Sequence, residues 1–136
     1  MSAYKGGCLC GKVRYEMTGE PVATVVCHCT HCQKSTGTSF SLAVLVPADG
    51  VTVEGTLKAF HDRGESGHEI LREFCPECGS PVITLAASLP GMTIIKAGTF
   101  DDTSWLSPSI EIYCESAESW LPRFPGLAAV PRALPG

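Results

Sequence analysis

The chain has 136 residues and a hydrophobic content of 44%, which suits one modest globular domain. Its formal net charge is −4 and its ten Lys and Arg residues are scattered singly, so the chain lacks the basic stripe that binds a nucleic acid. It also lacks an apolar run of about eighteen residues and the basic-then-apolar start of a secretory signal, and we therefore expect no membrane segment and a cytoplasmic protein.

Glycines and prolines divide the sequence into short segments that alternate in polarity or are rich in β-branched residues, as strands are. We expect helical turns only at 86–89 and 103–106, both too short to be stable alone. In chain order, the predicted strands are 12–17, 21–26, 40–46, 51–60, 69–74, 81–85, 93–96 and 110–114.

These segments predict an all-β fold with a single domain at residues 1–120. The remaining segment, 121–136, contains Pro122, Pro125, Pro131 and Pro135, which exclude a regular helix or a central strand. We therefore expect an irregular C-terminal tail that packs on the same domain.

The strongest signal in the sequence is the clustering of its eight cysteines. Thiols in a reducing compartment more often bind metal or react than form structural disulfides. Seven of the eight fall into three short groups, CLC at 8–10, CHCTHC at 27–32 and CPEC at 75–78, and Cys114 stands alone.

The first and last groups can supply two thiolates each. In Cys75-Pro-Glu-Cys78-Gly79 the two-residue spacer turns both sulfurs toward one ion, and the glycine can adopt the positive φ that such a knuckle needs. If the segment 8–10 is extended, Cys8 and Cys10 face the same side of it. The two pairs would complete a tetrahedral structural zinc site without a vacancy. The alternative is a group of buried, reduced cysteines.

The middle group places Cys27, Cys29 and Cys32 within six residues. Three protein ligands and one exchangeable position are typical of a reactive zinc, and soft thiolates favour Zn²⁺ over hard cations. A substrate thiol that bound there would be deprotonated at neutral pH. We therefore expect a second zinc that acts catalytically.

Spacing alone leaves the pairing of the groups open. Cys29 and Cys32 could join the 75–78 pair in an ordinary zinc ribbon, which would leave Cys27 with the 8–10 pair. A three-ligand site could also lose its metal, after which Cys29 and Cys32 would oxidise to a disulfide.

Residues beside the middle group are candidates for proton transfer and substrate binding. His28 and His31 titrate near neutrality, and Thr36 or Ser39 could act through water. Lys34 could attract a substrate carboxylate. An outward-pointing side chain or a solvated turn is the alternative for each.

Other conspicuous side chains are expected to be structural. We predict surface roles for His61, Asp62, Arg63, His68 and Arg72, turn caps for Asp101 and Asp102, packing roles for Trp105, Tyr113 and Trp120, and a buried core position for Cys114.

Five segments resemble the glutathione-dependent formaldehyde-activating enzymes, a family whose domain also occurs in centromere protein V. The matching segments are GGCLCGKVRYE at 6–16, CHCTHCQKSTGTSFS at 27–41, FCPECGSPV at 74–82, AGTFDD at 97–102, and Trp120 with its following proline. The sequence departs from many relatives at Glu111, where they carry a histidine.

The resemblance implies several coiled antiparallel sheets and two zinc ions. It assigns the structural zinc to Cys8, Cys10, Cys75 and Cys78, and the second zinc to Cys27, Cys29 and Cys32. The implied activity is that of a carbon-sulfur lyase that joins glutathione and formaldehyde in S-hydroxymethylglutathione. The alternative is a non-catalytic zinc scaffold or partner-binding module of the same fold.

Overall fold

The computed structural model describes residues 3–64 and 67–133 of the chain. Over these ranges the backbone forms eleven strands and one α-helix, α1, at Thr30–Thr36, which confirms the all-β class. Short 3₁₀ helices lie at Ala48–Gly50, Ala97–Thr99 and Cys114–Ser116. The strands are β1 (Ala3–Gly7), β2 (Arg14–Thr18), β3 (Ala23–Cys27), β4 (Ser41–Pro47), β5 (Val51–Glu54), β6 (Lys58–Arg63), β7 (Glu69–Phe74), β8 (Pro81–Ala86), β9 (Met92–Lys96), β10 (Ile110–Ile112) and β11 (Ala128–Ala129).

The strands form a small sheet of order β1-β2-β5 and a large sheet of order β11-β10-β3-β4-β9-β8-β7-β6. Most neighbours pair antiparallel, but β10 pairs parallel with both β3 and β11. These two parallel pairs depart from the purely antiparallel expectation. No helix in the described part of the chain is long and apolar enough to cross a bilayer.

The predicted strand at 51–60 is in fact two strands that belong to different sheets. β5 pairs with β2, whereas β6 pairs with β7. Gly55 lies between them with φ of 99°, and a Cβ at this position would lie 2.2 Å from the carbonyl oxygen of Lys12. Only glycine tolerates both this φ and this close approach, so the chain turns here instead of continuing.

The core lies between the small sheet and one face of the large sheet. Tyr15 and Met17 of β2 are almost fully buried, as are Val44 of β4 and Ile95 of β9. Trp105 packs against this core through Phe100, with ring centroids 5.0 Å apart. These contacts join the two sheets in one hydrophobic cluster.

The predicted turns and the predicted packing of Trp120 have different outcomes. The segments 86–89 and 103–106 each form one turn with a single backbone hydrogen bond, from Leu89 to Ala86 and from Leu106 to Thr103. Trp120 is 68% exposed, so its predicted packing role is wrong. It lies in an irregular turn outside both sheets, where no strand covers the indole.

The C-terminal segment is fixed to the edge of the large sheet. β11 is a two-residue edge strand beside β10, and backbone hydrogen bonds join Val130 to Glu111 and Cys114 to Val130. The division into a body at residues 1–120 and a tail at 121–136 stays a prediction, and residues 134–136 lie outside the described part.

The second face of the large sheet carries a row of polar side chains. Directly paired residues in a sheet project to the same face, as do residues two positions apart along one strand. α1 lies against this face, because His31 contacts Asp62 and Ser35 contacts Arg72. From β3 to β7, the row contains Cys27, Ser41, Lys96, Thr84 and Arg72, and the apolar Phe60 continues it on β6.

Candidate functional site

Four cysteines from distant parts of the chain form one cluster. The sulfurs of Cys8, Cys10, Cys75 and Cys78 all lie within 4.8 Å of one another. Cys10 Sγ is 3.6 Å from Cys8 Sγ and 3.7 Å from Cys75 Sγ. A tetrahedral ion with metal–sulfur bonds of about 2.3 Å separates its sulfurs by about 3.8 Å. The cluster therefore has the dimensions of a four-thiolate metal site.

Two tight turns present these sulfurs. Backbone N–H groups of Glu77 and Cys78 donate to Cys75 Sγ, and Gly79 closes the turn with φ of 77°. Hydrogen bonds from Ser80 lower the pKa of Cys78 to about 5. The second turn follows β1, where Val13 N–H donates to Cys8 Sγ at 3.3 Å. Such donors favour the thiolate form, which is the form that binds metal.

The second cluster forms where β3 meets α1. Cys27 ends β3, Cys29 is the N-cap of α1, and Cys32 lies in its first turn. Their sulfurs lie within 4.8 Å of one another, with Cys27 and Cys32 3.3 Å apart. These soft thiolate donors suit a zinc ion, and among the described residues the group supplies three sulfurs against four in the first cluster.

α1 was not predicted, because cysteine is not a usual N-cap residue. Here Cys29 Sγ accepts a hydrogen bond from Cys32 N–H, as an Asp or Ser oxygen would. Gly37 ends the helix in the left-handed conformation with φ of 70°. The available sequence signal was Gly37, a glycine eight residues after the sulfur acceptor of Cys29.

The sulfurs group as the resemblance implied, and the zinc-ribbon arrangement, which would join Cys29 and Cys32 to Cys75 and Cys78, does not form. All eight cysteines are free thiols, so Cys29 and Cys32 form no disulfide. That either cluster binds metal stays a prediction.

Two buried cations, Arg72 and Lys96, lie beside the second cluster. Arg72 is 9% exposed and Lys96 is 8% exposed. The hydrogen bonds of Cys27 and Cys29 to the Cys32 sulfur, together with the positive charges of Lys96 and Arg72, lower the pKa of Cys32 to about 2. Lys96 was not predicted as a site residue, because its position in the β-branched strand 93–96 does not indicate that its side chain faces the cysteines.

The predicted surface roles of Arg72 and Asp62 are wrong, because both side chains are largely buried. Arg72 Nε donates to Asp62 Oδ2 at 3.0 Å, and His31 Nδ1 lies 2.9 Å from the same oxygen. The prediction failed because β6 and β7 turn these side chains toward α1. His61, Arg63 and His68 are exposed as expected.

Partial burial raises the pKa of Asp62, but the hydrogen bonds from His31 and Arg72 outweigh this effect and lower the pKa below its usual value. Burial lowers the pKa of Arg72, while its bond to Asp62 and the nearby Cys32 thiolate raise the pKa overall. Arg72 therefore stays charged beside the cysteines.

The three predicted substrate-binding residues lie at the C-terminal end of α1 and just after it. Lys34 is exposed and Ser39 is half-buried. The Thr36 hydroxyl donates to the carbonyl oxygen of Cys32 at 2.9 Å, so it is engaged within the helix. Their role in substrate binding stays a prediction.

His28 lies on the opposite face of the sheet from the second cluster and is only 1% exposed. Its Nε2 atom is 2.8 Å from Glu111 Oε1, which is 2% exposed, while its Nδ1 atom has no hydrogen-bond partner among the described residues. Cys114 is half-buried in a 3₁₀ helix near this pair, so its predicted core position is wrong. The wrong placement arose because β10 ends at Ile112, before the thiol.

A cavity of about 230 Å³ opens on the same face as Arg72 and Lys96. Both cations line it, together with Ser35 of α1, Thr84 of β8 and a largely apolar wall. The cavity therefore shares its charged side chains with the second cysteine cluster.

Comparisons with known proteins identify a family for this chain. A family model described as "Glutathione-dependent formaldehyde-activating enzyme" matches residues 3–116, a range that contains all eight cysteines. A curated Pyrenophora teres f. teres (strain 0-1) protein, named "Putative glutathione-dependent formaldehyde-activating enzyme", is 26% identical over 121 residues. That match covers 83% of this chain and 63% of the relative, so the chain spans less than two thirds of its length.

Among solved structures, the crystal structure of a Rhodobacter sphaeroides protein is similar to this chain with a TM-score of 0.58. The two sequences are 22% identical, and the match covers 76% of this chain and 91% of that one. At this identity the similarity supports the fold alone.

Proposed function

Because the chain belongs to the glutathione-dependent formaldehyde-activating enzyme family, we propose that it catalyses the addition of a thiol such as glutathione to formaldehyde or a related aldehyde. The reaction class is that of a zinc-dependent carbon-sulfur lyase. The observation that carries the proposal is the three-sulfur cluster of Cys27, Cys29 and Cys32 beside Arg72 and Lys96.

In this proposal the two clusters have different tasks. Cys8, Cys10, Cys75 and Cys78 would hold a structural zinc, while Cys27, Cys29 and Cys32 would hold a zinc with one open position. A zinc ion at the second cluster supplies a Lewis acid that keeps an incoming thiol as a thiolate at neutral pH.

The protein's own groups orient the reactants and move the proton. The thiol sulfur forms a bond to the carbonyl carbon, the carbonyl π pair moves to oxygen, and that oxygen takes a proton. Arg72 and Lys96 stabilise the developing negative charge from the sheet. His31, which Asp62 holds at Nδ1, is favoured over His28 as the proton donor, since His28 lies on the opposite face.

The test is the rate of adduct formation when zinc-loaded protein is mixed with glutathione and formaldehyde, measured against the spontaneous reaction. The proposal predicts a rate above background that rises with protein concentration. No excess over background at full zinc loading would contradict it and would favour the non-catalytic scaffold.

Cysteine variants separate the two tasks. Cys32→Ser should abolish the excess rate and leave the fold intact, whereas Cys78→Ser should unfold the domain. Cys114→Ser is the matched control, because this thiol belongs to neither cluster, and it should keep the activity. If Cys32→Ser also unfolds the chain, the division of tasks is wrong.

A further inference from the structure

Two of the side chains that line the cavity carry buried donor atoms without a hydrogen-bond partner among the residues that the structure describes. Arg72 donates from Nε to Asp62 and from Nη1 to Ser35, but its Nη2 atom has no hydrogen-bond partner among the described residues. The hydroxyl of Thr84, which is 6% exposed, is also buried without a partner in that part of the chain. Both residues line the cavity.

Unpaired buried donors are rare and each calls for an explanation. Arg72 and Thr84 occupy directly opposed positions on β7 and β8, so the two residues line the cavity from adjacent strands. Lys96 adds a third donor from β9, where its ammonium also holds Ser41 Oγ at 2.8 Å. Three donors around one small cavity make a site for an oxyanion.

Net charge contributes little to the preference for an oxyanion. Asp62 pairs with Arg72, and Lys96 faces the thiolates, so the local charges are largely compensated. Glu73 also lines the cavity, and burial raises the pKa of its carboxyl group. The site therefore selects an anion through directed hydrogen bonds from Arg72 and Thr84 more than through excess charge.

The size and lining of the cavity limit what it can enclose. Its volume is about 230 Å³, and Phe60 and Phe74 contribute to its apolar wall. Sites for drug-sized ligands begin at roughly 300 Å³, so a tripeptide thiol cannot be enclosed here. A carboxylate with two or three carbon atoms fits.

We propose that this cavity binds the carboxylate of a small aldehyde acid, a 2-oxo acid of the glyoxylate class, which is then the carbonyl partner of the thiol. This inference rests on the proposed function. Arg72 and Thr84 hold the carboxylate, and the aldehyde carbon is oriented toward the three-cysteine cluster.

The reaction needs no oxidant or reductant. The thiolate sulfur forms a bond to the aldehyde carbon, the carbonyl π bond breaks with its electron pair on oxygen, and the oxygen gains one proton. The product is a 2-hydroxy acid that carries the thioether sulfur on the same carbon. The carboxylate keeps its charge throughout, so its contacts can hold substrate and product alike.

Binding can be measured without turnover. Glycolate and its neutral amide, glycolamide, differ only in the group that the cavity is expected to recognise. Calorimetry or NMR titration of the zinc-loaded full chain should show glycolate bound about tenfold or more tightly than glycolamide. Equal affinity for the two probes would overturn the proposal.

Variants locate the binding to the cavity. Thr84→Val removes an unpaired hydroxyl and keeps the side-chain shape, so it should fold normally and weaken glycolate binding several-fold. Thr93→Val is the matched control, because Thr93 is buried on β9 and does not line the cavity, and it should leave the affinity unchanged. Arg72→Gln should weaken binding further. Wild-type affinity in Thr84→Val would contradict the assignment.

Kinetics separate this inference from the proposed function. The proposal predicts faster catalysed thiol addition with glyoxylate than with glycolaldehyde, which has a hydroxymethyl group in place of the carboxylate. Formaldehyde turnover without this preference would overturn the inference and leave the proposed function intact. Glycolate binding without any catalysed thiol addition would support the carboxylate site and contradict the proposed function.

The alternative is that the cavity binds a carboxylate of the thiol substrate instead of the carboxylate of the aldehyde. Glutathione would then displace glycolate, whereas cysteamine, a thiol without a carboxylate, would not. That result would overturn the assignment to the aldehyde, and the failure of both thiols to displace glycolate would support it.

Discussion

At the scale of single residues, Asp62 connects α1 to the sheet, because its carboxylate accepts from both His31 and Arg72. Asp62→Asn would leave the buried guanidinium of Arg72 without its counter-charge, and we expect a loss of about 2 kcal/mol in the free energy of unfolding. Urea denaturation at neutral pH measures this loss. Asp101→Asn removes an exposed partner of Arg14 and is the control, with little change expected.

The pKa of Asp62 predicts how the free energy of unfolding depends on pH. The folded state lowers the pKa of Asp62 below the reference value of 3.8. Its contribution to stability is therefore fully present above that value and is lost only as the pH falls through the lower, folded-state pKa. The stability difference between wild type and Asp62→Asn should stay constant from pH 7 down to about pH 4. A difference that already narrows near pH 5.5 would contradict the lowered pKa.

Glu111 occupies a position where many relatives of the resembled family carry a histidine, and its structural role is to pair with buried His28. Glu111→Gln keeps a hydrogen-bond acceptor of the same shape and should change the free energy of unfolding by less than about 1 kcal/mol. Glu111→Ala leaves the imidazole unpaired in the core, and a loss of about 3 kcal/mol is expected. Chemical denaturation measures the free energy of unfolding of both variants. Equal losses would contradict a stabilising role for the hydrogen bond between His28 and Glu111.

At the scale of elements, α1 is the unit that positions Cys29 and Cys32. Its C-terminal Gly37 has φ of 70°, and an added Cβ would meet nothing within 4 Å. Gly37→Ala should therefore cost about 1 kcal/mol from backbone strain alone. Gly98→Ala is the matched control, since it has the same open surroundings without a positive φ, and thermal unfolding should show no comparable loss.

Sequence patterns identified the strands that polarity and β-branched residues define. β4 and β7 were predicted nearly to the residue, because their alternating or continuous apolar character is local. β1 was missed because the segment AYKGG carries two glycines, and Gly6 is required there by the close approach of Tyr15 and Thr99. Contacts of this kind involve distant parts of the chain and leave no local pattern.

At the scale of the whole molecule, the four-cysteine cluster joins the two sheets. Cys8 and Cys10 lie between β1 and β2 of the small sheet, while Cys75 and Cys78 lie between β7 and β8 of the large sheet. If this cluster holds the structural zinc, a chelator should lower Tm by more than about 10 °C and zinc should restore it. An unchanged Tm after verified zinc removal would contradict that role.

Only part of the candidate site could be predicted from the sequence. The family resemblance implied both sulfur groups, whereas cysteine spacing alone left their pairing open. Arg72, Asp62 and Lys96 were not anticipated, because they come from β6, β7 and β9 and meet α1 only through the register of the large sheet. Residues that a sheet brings together across its strands share no spacing along the chain.

The central claim is that one metal ion is enclosed by four sulfurs and another is held by three. Zinc content and zinc X-ray absorption, measured on wild type and on Cys32→Ser, test it most directly. The account predicts about two zinc ions per wild-type chain and about one in Cys32→Ser, with the remaining ion bound by four sulfurs. Retention of both ions in Cys32→Ser, or a remaining ion with fewer than four sulfurs, would contradict it.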